Sequence, residues 1–247
     1  MISHAELTIM IPAFNEAHAI RAVLQSVHAQ LPGVAIVVVD DASTDGTAAQ
    51  AEMPGVRVLR HPINRGNGAC VKTALKAVTT PYMAVIDADG QHDPAQLPTL
   101  MALLPDYDLV IGARTTREGH MNWLRAWGNQ LLQGLASSLA KQHIPDLTSG
   151  FRVFKRDVVA QFSHLYPEGF SFPTTSTLAC MTNGYAVTFV PVTMPPRMGG
   201  TSKIRVLQDG LRFIRLIMRM ISIFAPSRIM YPLSALDRKS TRLNSSH

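Results

Sequence analysis

The chain has 247 residues, of which 47% are hydrophobic and only 16% charged. This excludes global disorder and suits one large domain or one domain with an appendage. A net charge of +6 and a pI near 9.6 ask for an acidic partner: nucleic acid, a phosphorylated substrate or an anionic membrane. Cys70 and Cys180 form no CxxC pair and read as buried thiols of a reducing compartment. The start of the chain reaches Glu6 before any apolar run and does not read as a signal peptide. No uncharged apolar run reaches the roughly 20 residues needed to span a bilayer.

Leu7-Thr-Ile-Met-Ile11 is an apolar run closed by Pro12, the signature of a buried strand. Helical periodicity follows from Asn15 to about Leu31, through Ile20, Val23, Leu24 and Val27. Ala35 to Val39 is a second strand and ends in Asp40-Asp41. Ser43-Thr44-Asp45-Gly-Thr47 then predicts a helix start with a side-chain cap. Val56 to Leu59 is a third strand. Asn64-Arg-Gly-Asn-Gly68 reads as a turn leading into a helix from Ala69 to Val78, in preference to a phosphate cradle. Tyr82 to Ile86 and Leu109 to Ile111 are further strands. Met121 to Ala140 is amphipathic and helical, with Trp123 and Trp127 one turn apart. Asp146 to Arg152 reads as a loop, Ala186 to Val190 as a late strand, and Ile204 to Phe224 as a long helix.

Strands that alternate with helices, each strand nearly all apolar, predict a mainly parallel sheet covered on both faces. Ligands of such sheets bind at the carboxyl ends of the strands. The polar residues gather there: Asn15-Glu16, Asp40-Asp41, Asp87-Ala88-Asp89 and Arg114. Asp87, Asp89 and Gln91 are two apart, so extended backbone would set all three on one side. Two carboxylates and an amide oxygen suit a hard cation, Mg²⁺ or Mn²⁺, with open positions left for water and phosphate oxygens. The plain alternative is a surface turn, since Asp, Gly and Pro are turn residues. His92 reads as a neighbour of this site only.

Four segments in order, Ile-Pro-Ala-Phe-Asn-Glu16, Val-Val-Asp-Asp-Ala-Ser-Thr-Asp-Gly-Thr47, Asp-Ala-Asp-Gly-Gln-His-Asp-Pro94 and Gly-Ala-Arg114, resemble family 2 glycosyltransferases of the GT-A fold. Asp146-Leu-Thr-Ser-Gly-Phe-Arg152 and Arg197-Met-Gly-Gly-Thr-Ser-Lys203 resemble the polyprenyl-phosphate branch, to which dolichyl-phosphate mannose synthase belongs. The resemblance spans about residues 6 to 235. It implies a Rossmann-like sheet flanked by helices, and inverting transfer from a UDP- or GDP-linked sugar to a polyprenyl phosphate. It implies that Pro12, Phe14 and Glu16 line the nucleotide pocket, with Asp40 and Asp41 meeting base or ribose. Asp87, Ala88 and Arg114 would bind the diphosphate side, and Asp87, Asp89 and Gln91 would hold the metal. Asp89, Arg197 and Lys203 would carry catalysis, Arg197 and Lys203 as phosphate binders. Asp146, Arg152 and Ser202 would face the acceptor, unless Asp146 and Arg152 form a structural ion pair. One departure stands out: some relatives have a basic residue after Gly169-Phe170, where this chain has Ser171.

The chemistry agrees with that resemblance. A phosphate monoester with a second pKa near 6 is already ionised at neutral pH, so no strong general base is needed. The sequence offers no obvious catalytic triad and no glycosyl-enzyme nucleophile. Rival expectations are a family 2 enzyme with a saccharide hydroxyl acceptor and Asp146 as base, a metal-dependent nucleotidyltransferase, and a non-catalytic membrane-surface module. The pattern argues against a nucleic-acid partner, because the basic residues are not interleaved with exposed aromatics.

Arg212, Arg215 and Arg219 recur at helical spacing against Phe213, Leu216, Ile217, Met220 and Phe224. A basic amphipathic helix of this kind predicts association with an anionic membrane on its cytoplasmic face. The plain alternative is a core helix with snorkelling arginines. The division expected is a GT-A domain over 1–203, a basic juxtamembrane region over 204–236 and a tail over 237–247. The tail lacks any period and resembles translated adapter sequence, so truncation of a longer natural chain is expected. Homo-oligomers are compatible with all of this.

Overall fold

The structure, a computed structural model, describes residues 2–114, 133, 134, 136–138, 140–168, 172–194, 219, 222–224 and 226. They fall into two compact units, Met1–His120 with Ile144–Ser202, and Met121–His143 with Lys203–His247. The first unit carries the sheet. In the second, residues 133, 134, 136–138, 140, 219 and 222–224 are helical. Trp123, Trp127, Arg212 and Arg215 lie outside the described residues.

Seven strands form one sheet: β1 (Leu7–Ala13), β2 (Ala35–Asp40), β3 (Val56–Arg60), β4 (Tyr82–Val85), β5 (Leu109–Arg114), β6 (Arg152–Lys155) and β7 (Val187–Val192), in the order β3-β2-β1-β4-β6-β5-β7. The pairs β1·β2, β2·β3, β1·β4 and β5·β7 are parallel, while β6 is antiparallel to both β4 and β5. Six strands therefore point one way. The reversed strand begins at the last residue of the predicted loop and was not among the predicted strands. Its register sets Arg152 opposite Val85 on one side and Ile111 on the other. The first residue of β6 thus sits at the carboxyl end of its neighbours.

The helices are α1 (Ile20–Gln30), α2 (Thr47–Ala51), α3 (Asn67–Ala77), α4 (Leu97–Met101), α5 (Arg156–Gln161) and α6 (Phe172–Thr182). Ile20, Val23, Leu24 and Val27 of α1 are fully or almost fully buried and join Leu7, Ile9, Ile11, Ile36, Val38 and Val153 in one core. Each such aliphatic side chain contributes roughly 1.5–3 kcal/mol on burial. Strands buried on both faces need no alternation, which is why β1 and β2 read as continuous apolar runs. Among the described residues, no helix is long and apolar enough to cross a membrane.

Candidate functional site

Two loops at the carboxyl edge are latched together. After β1, Asn15 takes a left-handed φ of 55°. Its N–H donates to Ser43 Oγ at 2.9 Å, and its Oδ1 accepts from Thr44 N–H at 2.9 Å. The N–H of Glu16 donates to Thr47 Oγ1 at 2.9 Å, and that of Ala17 to Asp45 Oδ2 at 3.0 Å. Segment 43–47 was expected to cap α2. The N-cap is instead Gly46, at φ 91° and without a side-chain bond, and the hydroxyls and carboxylate fasten the neighbouring loop. Asp45 lies below the usual carboxylate range, because bonds from Thr47 and Ala17 outweigh its desolvation. The latch presents Phe14 at 39% exposure above partly buried Pro12 and Glu16.

Asp40 and Asp41, expected to meet base or ribose, are both buried. Asp40 Oδ1 accepts from Ser43 N–H at 3.3 Å, and Oδ2 lies 3.1 Å from Arg60 Nε. Asp41 is filled by protein donors: Arg65 N–H at 2.9 Å, Gly66 N–H at 2.6 Å and His61 Nδ1 at 2.7 Å. Those amides lead into α3, where a helix N-terminus welcomes negative charge. The turn over 64–68 is therefore a cradle whose anion is Asp41 itself. The two acids shape the pocket wall and turn their carboxylates into the protein. Beside them Ala42, Ser43, Thr44, Arg60, His61 and Pro62 line a depression of about 490 Å³. Cys70 joins Asp41 and His61 within 4.8 Å, in the one trio of possible metal ligands from His, Cys, Asp and Glu among the described residues. Burial, and then the charges of Asp41 and Asp40, push its thiol up to about 12, and the Asp41 oxygens are already bonded, so the trio is a poor cation site.

At the end of β4 the backbone does not stay extended. Residues 88 and 89 turn, Gly90 takes φ 77°, and Asp89 Oδ1 accepts from Gln91 N–H at 3.1 Å. The two-residue alternation expected for Asp87, Asp89 and Gln91 is thus replaced by a turn. Ala88 and Asp89 are buried, while the Asp87 side chain is 37% exposed. The Asp87 N–H donates to His92 Nδ1 at 2.9 Å, which puts the ring proton of a neutral His92 on Nε2, 3.6 Å from Asp87 Oδ2. From the opposite side, a Cβ at Gly150 would stand 3.0 Å from Asp87 Oδ2 and 3.1 Å from Oδ1. A side chain at Gly150 would press on that carboxylate and displace it by a few tenths of an ångström. A half-open carboxylate between a neutral imidazole and a glycine, with Asp89 two residues on, fits a hard divalent cation.

Asp146 and Arg152 were expected to face an acceptor or each other. Asp146 instead receives Arg114 as a fork, Nε to Oδ2 at 2.7 Å and Nη2 to Oδ1 at 3.0 Å. The same Nη2 donates to Thr148 Oγ1 at 2.7 Å. Burial alone would raise Asp146; the bonds from Arg114 hold it below the usual carboxylate range. Arg152 is fully buried. Its Nη1 donates to Ser176 Oγ at 2.8 Å and to the Pro173 carbonyl at 3.1 Å, and its Nη2 donates to the Ser149 carbonyl. Direct contact between Arg152 and an acceptor is therefore corrected to an internal role. Arg197, Ser202 and Lys203 lie outside the described residues, as do Gly169, Phe170 and Ser171. Sequence reasoning missed Gly150, Ser43, Asp45, Thr47 and Ser176. For Gly150 the signal was a Gly beside the Thr-Ser run before β6, and for Ser43, Asp45 and Thr47 it was their place in the second of the four quoted segments.

The profile named "Glycosyl transferase family 2" matches residues 8–162. The chain is 31% identical over 210 residues to the undecaprenyl-phosphate mannosyltransferase of Micrococcus luteus, covering 78% of this chain and 85% of that one. It is 31% identical over 212 residues to the polyprenol monophosphomannose synthase of Mycolicibacterium smegmatis, covering 79% of each. Its fold matches glucosyl-3-phosphoglycerate synthase of Mycobacterium tuberculosis, crystallised with Mn²⁺, UDP and phosphoglyceric acid. The TM-score is 0.70 at 19% identity, over 87% of this chain and 77% of that one.

Proposed function

Because the chain belongs to glycosyl transferase family 2, we propose that it moves a sugar from a UDP- or GDP-linked donor to a polyprenyl phosphate, with inversion at the anomeric carbon. The observation that carries the reading is the half-open Asp87 carboxylate at the end of β4, with Gly150 against it and Asp89 beside it. A divalent cation, Mg²⁺ or Mn²⁺, held by Asp87, Asp89 and Gln91 would neutralise charge on the departing diphosphate.

The chain's own groups supply the rest. Phe14, with Pro12 and Glu16, borders the nucleoside. Asp40 and Asp41 hold the walls of that pocket in place. Asp146 and Thr148 aim the Arg114 guanidinium along the strand edge toward the phosphates. Arg197 and Lys203, with Ser202, screen the repulsion between a donor diphosphate and an acceptor phosphate. The basic stretch 204–236 holds the enzyme at an anionic membrane surface, where its lipid acceptor resides.

A saccharide hydroxyl acceptor would need a general base, and Asp146 was its candidate. A carboxylate forked to arginine and held at low pKa is a poor base at neutral pH. That favours an acceptor which arrives already ionised. The test is incubation of the protein and Mn²⁺ with polyprenyl-phosphate vesicles and a panel of radiolabelled nucleotide sugars, followed by lipid extraction. Label entering the organic phase as an acid-labile sugar phosphate is the expected result. Label confined to water-soluble saccharide would overturn the proposal.

A further inference from the structure

Arg152 is a cation with 0% exposure, and among the described residues no carboxylate is a hydrogen-bond partner of it. Its guanidinium carbon stands 5.5 Å from the centre of the Phe172 ring. Its Nε has no hydrogen-bond partner among the described residues. Burial lowers its pKa to about 10, which leaves it charged at neutral pH. Charge this deep is costly, and well-packed apolar side chains of similar volume often stabilise a fold as well or better. Cohesion alone is a weak account of this arginine.

Its partners point elsewhere. Nη1 reaches the first turns of α6, at Pro173, Ser176 and Thr177, and Nη2 holds the Ser149 carbonyl. Gly150, next in the chain, is the residue against the Asp87 carboxylate. Phe151 is fixed from the far side, its carbonyl accepting from Gly112 N–H at 2.8 Å, and its ring lies 5.0 Å from that of His92. His92 in turn accepts from the Asp87 N–H. Both supports of Asp87 thus converge on residues 149–151, and Arg152 anchors the end of that segment which no strand pairing holds.

We propose that Arg152 is a positioning residue that ties loop 146–151 to α6 and so fixes the Asp87 carboxylate for its divalent cation. The proposal rests on the reading of Asp87 and Asp89 as metal ligands. Polar groups that orient a ligand from behind are worth about 10- to 100-fold in metal affinity. The chain therefore uses a buried charge to hold geometry.

The full chain is titrated with Mn²⁺ in the presence of UDP and, separately, GDP, and free Mn²⁺ is read by electron paramagnetic resonance. Arg152→Met is expected to keep its circular dichroism spectrum and to bind Mn²⁺ at least about tenfold more weakly. Gly150→Ala, which leaves Arg152 in place, is expected to show the same loss. Wild-type Mn²⁺ affinity in Arg152→Met would overturn the proposal, whatever happens to turnover. Should that variant not fold, Ser176→Ala with Thr177→Val removes two partners of the guanidinium, and unchanged affinity there is equally fatal. Identical Mn²⁺ binding by wild type and Asp89→Ala would strike the metal reading itself, and the proposal with it.

Discussion

Arg114 at the end of β5 and Asp146 at the start of the loop before β6 meet fork to fork, with Nε to Oδ2 at 2.7 Å and Nη2 to Oδ1 at 3.0 Å. Thirty-two residues of sequence separate them, and the pair closes that excursion at the rim of the sheet. The carboxylate side chain is 8% exposed and the arginine 46%. The buried partner therefore determines where the exposed one points.

Asp146→Asn tests that assignment. It keeps the shape and removes the charge, so Arg114 loses a charge-assisted fork worth about 1–3 kcal/mol. Turnover is expected to fall by roughly tenfold, with a matching drop in thermal midpoint. Loss of a general base would instead cost about 10²–10⁴ in rate with the fold undisturbed. A steady-state assay beside a melt separates the two.

The same pair makes a prediction about acid. Asp146 is held below its ordinary value of 3.8, so the folded state binds its proton less readily than the unfolded chain does. Its contribution is complete above that ordinary value and drains away as pH falls through the lower folded value. Denaturant midpoints measured from pH 6 to pH 2 should fall more steeply for wild type than for Asp146→Asn below about pH 4. Parallel curves would show that the fork adds no stability.

Asp89→Ala is expected to abolish transfer, by about 10³-fold or more, while the protein still folds, since the residue follows β4 and lies outside the hydrophobic core cluster. Circular dichroism and lipid-extracted product measure both halves. Normal turnover by this variant in the presence of a chelator would end the metal assignment.

Lys203→Ala is expected to raise KM for polyprenyl phosphate by about tenfold, and to leave KM for the nucleotide sugar within about twofold. Varying each substrate in turn checks it. Unchanged kinetics with the lipid phosphate would remove Lys203 from the acceptor side.

The parallel strands were legible because buried strands write themselves as apolar runs: Leu7 to Ile11, Ala35 to Val39 and Tyr82 to Ile86 all became strands. Strand β6 was not, because Arg152-Val-Phe-Lys155 is four residues long with a charge at each end. Burial of Arg152 is a tertiary fact with no local trace. The acids at the strand ends were legible as a cluster, but their directions were not. Asp41 and Asp87 look alike in sequence, yet one faces three protein donors and the other is left 37% open. The 43–47 segment misled in a similar way. Ser, Thr and Asp before a helix usually serve that helix, and here they serve the loop after β1.

The reversed strand has a consequence for where the chain leaves and rejoins the sheet. Because β6 runs against β5, the polypeptide leaves the sheet at Arg114 and rejoins it at Arg152 on the same rim. The Arg114–Asp146 clasp closes the opening between those two points. The strand order thus brings both ends of that long connection to the carboxyl rim, beside the residues that follow β1 and β4.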